Sequence, residues 1–192
     1  MVTSRDSVIL VTQNRHKLAE LTPLFKRYNV SFETISYEKF EIRSDDVEQI
    51  ARAAALHAAD VFGRPVVVDD TGLFIDALNG FPRAYPALVL DTIGRKGILR
   101  LMEGVADRTA RFVTAVGYSD GTMVKTFVGE MKGTIALEER GTGGFGYDPI
   151  FMPEGFDRTY AELSFEEKVS ISHRTRAFTA FLDWYTSTLR KA

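Results

Sequence analysis

Val8-Ile9-Leu10-Val11-Thr12-Gln13-Asn14-Arg15-His16-Lys17 is the stretch from which the fold is read. Its apolar start suits a short buried strand. Thr12 to Arg15 turns polar, and Leu18, Leu21 and Phe25 then recur at helical spacing. The unit is strand, polar turn, helix, with Pro23 disturbing the middle of that helix. Such a junction is an anion site. The first N–H groups of a helix have no intrahelical acceptor, and the helix dipole favours negative charge there. Thr12 and Asn14 add side-chain donors, and Lys17 can fold back on a phosphate as a point charge. The glycines of a Walker loop are absent, so a capped helix with a solvated lysine is the competing reading.

Outward from this unit, Val30, Phe32 and Ile35 suggest a weaker second strand, followed by an acidic connector from Glu38 to Asp46. Asp45, with Glu48 three residues on, reads as the N-cap of a helix. That helix carries Val47, Ile50, Ala51, Ala54, Ala58 and Val61 as its stripe and ends at Gly63. Pro65-Val66-Val67-Val68 is a strand that stops at Asp69-Asp70, and Leu73 to Leu78 is a further strand closed by Asn79-Gly80. Ala87–Ile93 and Ile98–Met102 read as helical, broken at Gly94 and Gly97. Thr109–Tyr118 is a long strand, with a hairpin at Asp120-Gly121 and a continuation over Met123–Val128. Glycine-rich Gly141–Gly146 feeds a strand at Tyr147–Phe151, and Glu166–Ser170 is a short helical turn. A last helix starts near Ser172, and its Phe178, Phe181, Trp184 and Tyr185 are read as core. No repeat and no linker divides the 192 residues, which suit one domain over the whole chain.

Composition removes several function classes. There is no cysteine, so disulfides, thiolate metal sites and cysteine nucleophiles are excluded. The three histidines are too few for a histidine-rich zinc site. The formal net charge of -2 argues against a protein held to nucleic acid through its phosphates. No stretch reads as a signal peptide or a membrane span, so a cytoplasmic protein without membrane partners is expected.

Two further constellations carry chemistry. Adjacent carboxylates at the end of an apolar strand repel, and a cation that neutralises them is a natural reason for Asp69-Asp70. Mg²⁺ takes one or two carboxylates and completes its shell with waters and phosphates. Glu41 can supply the second carboxylate. Strand alternation points Asp69 and Asp70 to opposite faces, so their roles differ. A solvated Asp-Asp-Thr-Gly turn is the alternative. Gly141-Thr142-Gly143-Gly144-Phe145-Gly146-Tyr147-Asp148 places aromatics among glycines, where a ring can stack on a base. Lys168, His173 and Arg174 add donors. A donor-rich site suits the C6 keto group of hypoxanthine or xanthine and rejects adenine, whose amino group would leave buried donors unpaired.

In order and spacing these stretches resemble the inosine triphosphate pyrophosphatases, also called XTP/dITP diphosphatases or the Ham1-like family, and archaeal members above all. The family's Ser/Thr-x-Asn-x-x-Lys stands at Thr12–Lys17, its acidic connector at Glu41–Asp46, and its Asp-Asp-Ser/Thr-Gly-Leu at Asp69–Leu73. Its most specific stretch is intact from Gly143 to Phe151, followed by Thr159–Leu163 and Ser172-His173-Arg174. The resemblance implies an elongated α/β fold, a mixed sheet with flanking helices and two lobes around an active-site cleft, usually as a homodimer. It implies hydrolysis of a non-standard purine nucleoside triphosphate (ITP, dITP or XTP) to monophosphate and pyrophosphate. Mg²⁺ would sit at Glu41 and Asp70, with Asp70 also activating water. The segment Thr12, Gln13, Asn14, Arg15, His16 and Lys17 would hold the triphosphate, and Thr71 would touch substrate. Phe145 would stack on the base, beside Gly146, Tyr147 and Asp148, and Lys168, His173 and Arg174 would recognise it. Two departures stand out. Pro82-Arg83-Ala84-Tyr85-Pro86 replaces the family's Pro-Gly-x-Tyr-Ser, and Val169 replaces a common Asn. The first bears on loop shape and dimer contacts. Rival readings are a nucleotide sensor disabled by Arg83 and Pro86, a single-strand nucleic-acid binder using Phe145 and Tyr147, and a pyrophosphatase for other modified bases.

Overall fold

The computed structural model describes residues 7–37 and 40–188, so the start of the acidic connector lies outside the described residues. Strand β1 (Ser7–Val11), helix α1 (Arg15–Arg27) and strand β2 (Ser31–Ile35) open the chain as expected. They are followed by α2 (Val47–Phe62), β3 (Val66–Ile75), β4 (Pro82–Arg83), α3 (Pro86–Thr92) and α4 (Gly94–Leu101). Then come β5 (Thr109–Ser119), β6 (Val124–Ile135), β7 (Phe151–Pro153), α5 (Phe165–Ile171) and α6 (His173–Thr188). The fold is mixed α/β. The seven strands form one sheet in the order β2-β1-β3-β5-β6-β7, with β4 paired to β3.

β1 runs parallel to both β2 and β3, with Ile9 opposite Glu33 on one side and Val66 on the other. Its apolar run fits that place, since parallel strands are covered on both faces and need no polar alternation. The first core cluster packs Val8 and Leu10 of β1, Leu21 and Phe25 of α1, and Phe178 and Phe181 of α6. The aromatic stripe of α6 is therefore packing, as read from its spacing. A second core gathers Leu73, Ile98, Phe112, Met131, Phe151 and Tyr160.

The chain divides into two compact units. Unit 1 comprises the chain up to Asp70, Thr114–Gly129 and the chain from Arg174, and unit 2 comprises Thr71–Val113 and Glu130–His173. In unit 1, an alanine face on α2 lies against β5. A Cβ at Gly117 would overlap the Ala51 carbonyl, so glycine is required by the close approach of helix and strand.

Four local expectations need correction. β3 does not stop at the aspartates. It runs through Asp69, Asp70 and Thr71 to Ile75, because ladder pairing outweighs the low strand propensity of aspartate. The N-cap of α2 is Asp46, whose side chain accepts from the N–H groups of Glu48 and Gln49. The expected break at Gly94 is present, since α3 ends at Thr92 and α4 begins at Gly94 with φ 64°, but Gly97 breaks nothing and lies within α4. Tyr147–Phe151 is not one strand: a 3-10 turn occupies Asp148–Ile150 and β7 begins at Phe151. Pro149 at the start of that turn accounts for this, since it has no N–H to donate to a ladder. Pro23, by contrast, does not end α1.

Candidate functional site

The end of β1, the start of α1 and the connector enclose a cavity of about 670 Å³ in unit 1. Its described lining is Val11, Thr12, Gln13, Asn14, Lys17, Tyr37, Glu41 and Asp69. Four of the six residues predicted to hold a triphosphate are therefore there. Arg15 and His16 are exposed on the first turn of α1, outside this lining. The helix mouth is not fully open to an anion. The Asn14 Oδ1 already accepts from the N–H groups of His16 (3.0 Å) and Lys17 (3.2 Å), and the Thr12 hydroxyl accepts from the Asn14 N–H. These bonds shape the turn, and Lys17 supplies the positive charge of the described lining.

Lys17 is held over Asp69, Nζ to Oδ2 at 2.7 Å, with the carboxylate 2% exposed. Asp69 also faces the Arg174 Nε at 3.7 Å, and Arg174 donates to Glu20 Oε2 at 2.6 Å. Lys17, Asp69, Arg174 and Glu20 thus form a chain of alternating charge in which all but Lys17 are buried. Burying any of them alone would cost several kcal/mol, on the order of 3 to 5 for a broken pair. Asp70 is the next residue of β3 and is 8% exposed; the cavity's described lining holds Asp69, not Asp70. Asp69 is paired with the cations of Lys17 and Arg174.

Glu20 was not anticipated from the sequence, yet a signal was present. It falls one turn from Lys17 and Leu24, on the side of α1 that carries Leu21, and is 4% exposed. A carboxylate at such a position requires a cationic partner. Arg174, read as a base-recognising residue, lies in unit 1 with Glu20 and Asp69.

Within unit 2, three of the predicted base-site residues, Phe145, Asp148 and Lys168, come together. The Phe145 N–H donates to Asp148 Oδ2 at 2.7 Å, and Lys168 Nζ donates to the same oxygen at 2.6 Å. The Lys168 ammonium stands 4.6 Å from the Phe145 ring centroid, a cation–π contact. Gly144 has φ 67°, and a Cβ there would overlap the Asp148 carboxylate, so the loop's glycine is required on both counts. The Tyr147 hydroxyl donates to the Pro86 carbonyl at 2.8 Å. Burial, reinforced by Asp91, raises the Tyr147 phenol pKa, so it remains a neutral donor. His173 stacks on Phe112 at 4.7 Å and is 4% exposed, placing it in the second core. Thr71 follows Asp70 in β3 and is half-buried.

Among the described residues no group of three or more His, Cys, Asp or Glu side chains is placed to bind a metal. The cavity lining carries the carboxylates of Glu41 and Asp69, of which Asp69 is held by Lys17 and Arg174. That donor set fits Mg²⁺, which uses few protein carboxylates and relies on water and phosphate oxygens for the rest. It does not fit a metal that needs an all-protein cage.

Comparison with known proteins agrees with this architecture. The chain is 50% identical over 182 residues to the dITP/XTP pyrophosphatase of Saccharolobus solfataricus, covering 95% of each chain. It is 51% identical over 178 residues to that of Pyrobaculum aerophilum, covering 93% of this chain and 95% of the relative. Among solved structures, a Ham1 protein from Coxiella burnetii superposes with a TM-score of 0.82 at 32% identity, covering 97% and 99% of the two chains. The Staphylococcus aureus Ham1 protein gives 0.81 at 30% identity, covering 94% and 98%. The profile of the Ham1 family matches residues 8–184. With that match over nearly its whole length, the chain belongs to the Ham1 family.

Proposed function

We propose that this protein is a nucleoside-triphosphate pyrophosphohydrolase that converts non-standard purine nucleotides (ITP, dITP, XTP) to the monophosphate and pyrophosphate with Mg²⁺. The relatives named above as dITP/XTP pyrophosphatases support the activity and substrate class. The observation that carries the reading is the cavity at the mouth of α1, lined by Thr12, Asn14, Lys17, Glu41 and Asp69, with Lys17 paired to Asp69. A lining whose cation is already paired with a carboxylate cannot by itself attract a polyanionic tail, so the tail arrives with a divalent cation. When bound, Mg²⁺ neutralises phosphate oxygens and the developing charge on the pyrophosphate leaving group. Glu41 and Asp70 are the protein carboxylates assigned to it.

The chain's own residues do the positioning. Thr12, Gln13 and Asn14 contact the tail, while Lys17 shifts part of its charge from Asp69 to a phosphate. Asp69 and Glu20 keep Lys17 and Arg174 from repelling one another. Asp70, shielded from solvent, orients and deprotonates the water that attacks the α-phosphorus. Thr71 adds a substrate contact. In unit 2, Phe145 stacks on the base, with Gly146, Tyr147 and Asp148 shaping the loop. Lys168 and His173, and Arg174 of unit 1, are assigned as donors that suit a C6 keto oxygen and leave adenine mismatched. We also assign a homodimer, supported by the exposed apolar side chains of Tyr85 and Leu88 at α3 and by Ile93. A cytoplasmic location fits a protein with no helix, among the described residues, long and apolar enough to cross a membrane.

The test is a panel of nucleoside triphosphates assayed with Mg²⁺ and with a chelator, scoring pyrophosphate against orthophosphate. ITP and XTP should release pyrophosphate with kcat/KM at least about 100-fold above ATP. Chelation should abolish turnover. Equal rates on ATP, or release of orthophosphate, would overturn the proposal.

A further inference from the structure

The loop that carries Phe145 is hinged on both sides. Gly144 and Gly146 both lie in the left-handed region, at φ 67° and 61°. Such a segment loses much conformational freedom when ordered and needs external restraint to hold one shape. One side is restrained within the loop, where Asp148 accepts from the Phe145 N–H and from Lys168. The other side is restrained from α4. Arg95 Nη1 donates to the Gly146 carbonyl at 2.9 Å across 51 residues of sequence. The Nη2 of the same guanidinium pairs with Glu139 at 3.0 Å, and its Nε is buried beneath the surface.

We infer that Arg95 is a positioning residue for the base site: anchored on Glu139, it clamps the Gly146 carbonyl and so fixes where the Phe145 ring stands. The inference rests on the reading of Phe145 as the platform for the base. Local helix chemistry does not explain the residue. Arg95 lies in the first turn of α4, where the helix dipole disfavours a cation. A rigid fork holding a carboxylate and a carbonyl at once explains it, and a lysine, as a single point donor, cannot reproduce that pairing. The clamp and the Lys168–Asp148 pair hold the ring from two directions, so the loop is preorganised before a base arrives.

The experiment compares wild type with Arg95→Met, Arg95→Lys and Glu139→Gln. Arg95→Met should raise KM for ITP about 3- to 10-fold with kcat within about twofold, the loss of one hydrogen bond read as affinity. Arg95→Lys should recover part of that loss, and Glu139→Gln should show a weaker form of it. Inhibition by inorganic pyrophosphate, which probes the tail site, should not change. Backbone hydrogen exchange across 141–148 in the ligand-free protein should accelerate in Arg95→Met, a readout independent of what the loop binds. Unchanged exchange with unchanged KM overturns the clamp, and so does a matching loss of kcat and pyrophosphate inhibition, which marks general damage. Phe145→Ala separates the two readings. If exchange accelerates but neither Arg95→Met nor Phe145→Ala alters KM, the clamp stands and the base-platform reading falls. If Phe145→Ala raises KM while Arg95→Met does not, the positioning role falls.

Discussion

Asp69 and Asp70 share a strand and a residue type, and the proposed mechanism gives them different work. Asp69 is locked between Lys17 and Arg174, so its charge is already compensated. Asp70 is the carboxylate assigned to water and metal. Asp70→Asn should therefore lower kcat by roughly 100-fold or more, the scale of one lost transition-state electrostatic contact. Nucleotide binding, followed by calorimetry, should remain measurable; near-normal turnover would remove Asp70 from the mechanism. Arg83 makes a separate point. It stands where the family has glycine, and it adopts φ 57°, a left-handed conformation that strains a side chain. The Arg83 guanidinium donates to the Asn79 carbonyl at 3.0 Å, which offsets part of that strain. Arg83→Gly should raise stability by about 0.5–1 kcal/mol, the relief of strain less the added freedom of the unfolded chain. Denaturant unfolding measures this, and a loss of stability would show that the Asn79 contact dominates.

At the level of single elements, caps and close approaches explain most boundaries. α5 opens with a capping box in which Ser164 accepts from the Glu167 N–H and Glu167 accepts from the Ser164 N–H. Arg158 adds two further bonds to Glu167, at 2.7 and 3.2 Å. The Arg158 guanidinium first, and the Ser164 N–H next, depress the Glu167 carboxyl to about 2 from its ordinary 4.5. A depressed carboxyl stabilises the folded state above its unfolded value. Its contribution is therefore intact at neutral pH and fades as pH falls from about 4.5 toward 2. Glu167 is partly exposed, so the effect is modest and screened by salt. Glu167→Gln should lower the Tm slightly at pH 7, and the gap should narrow steadily through that acid window. A gap that persists unchanged in acid would mean that packing, not charge, is what the substitution removes. Asn14, read from the sequence as a donor, caps α1 as an acceptor. The cap of α2 lies one residue beyond the one read, because Asp45 and Asp46 are chemically equivalent candidates.

For the molecule as a whole, the proposed dimer is the property that neither unit shows alone. Leu88 is 61% exposed on α3, beside Tyr85 at 39%. Leu88→Asp should shift sedimentation from dimer to monomer at micromolar concentration without loss of monomer folding; a wild-type monomer would remove the assignment. Sequence alone determined the alternation of elements, the buried β1, the aromatic face of α6, and the ordered motifs that place the chain in its family. Those features are written in local periodicity and in short stretches whose chemistry needs no distant partner. Tertiary structure alone decided that β3 runs unbroken through two aspartates, because ladder bonds come from other strands. It decided that Glu20 closes a charge chain with Arg174, residues 154 apart in sequence. It also brought Arg95 to Gly146. Pairings of that kind depend on which surfaces the sheet and its helices bring together, and no local pattern encodes that juxtaposition.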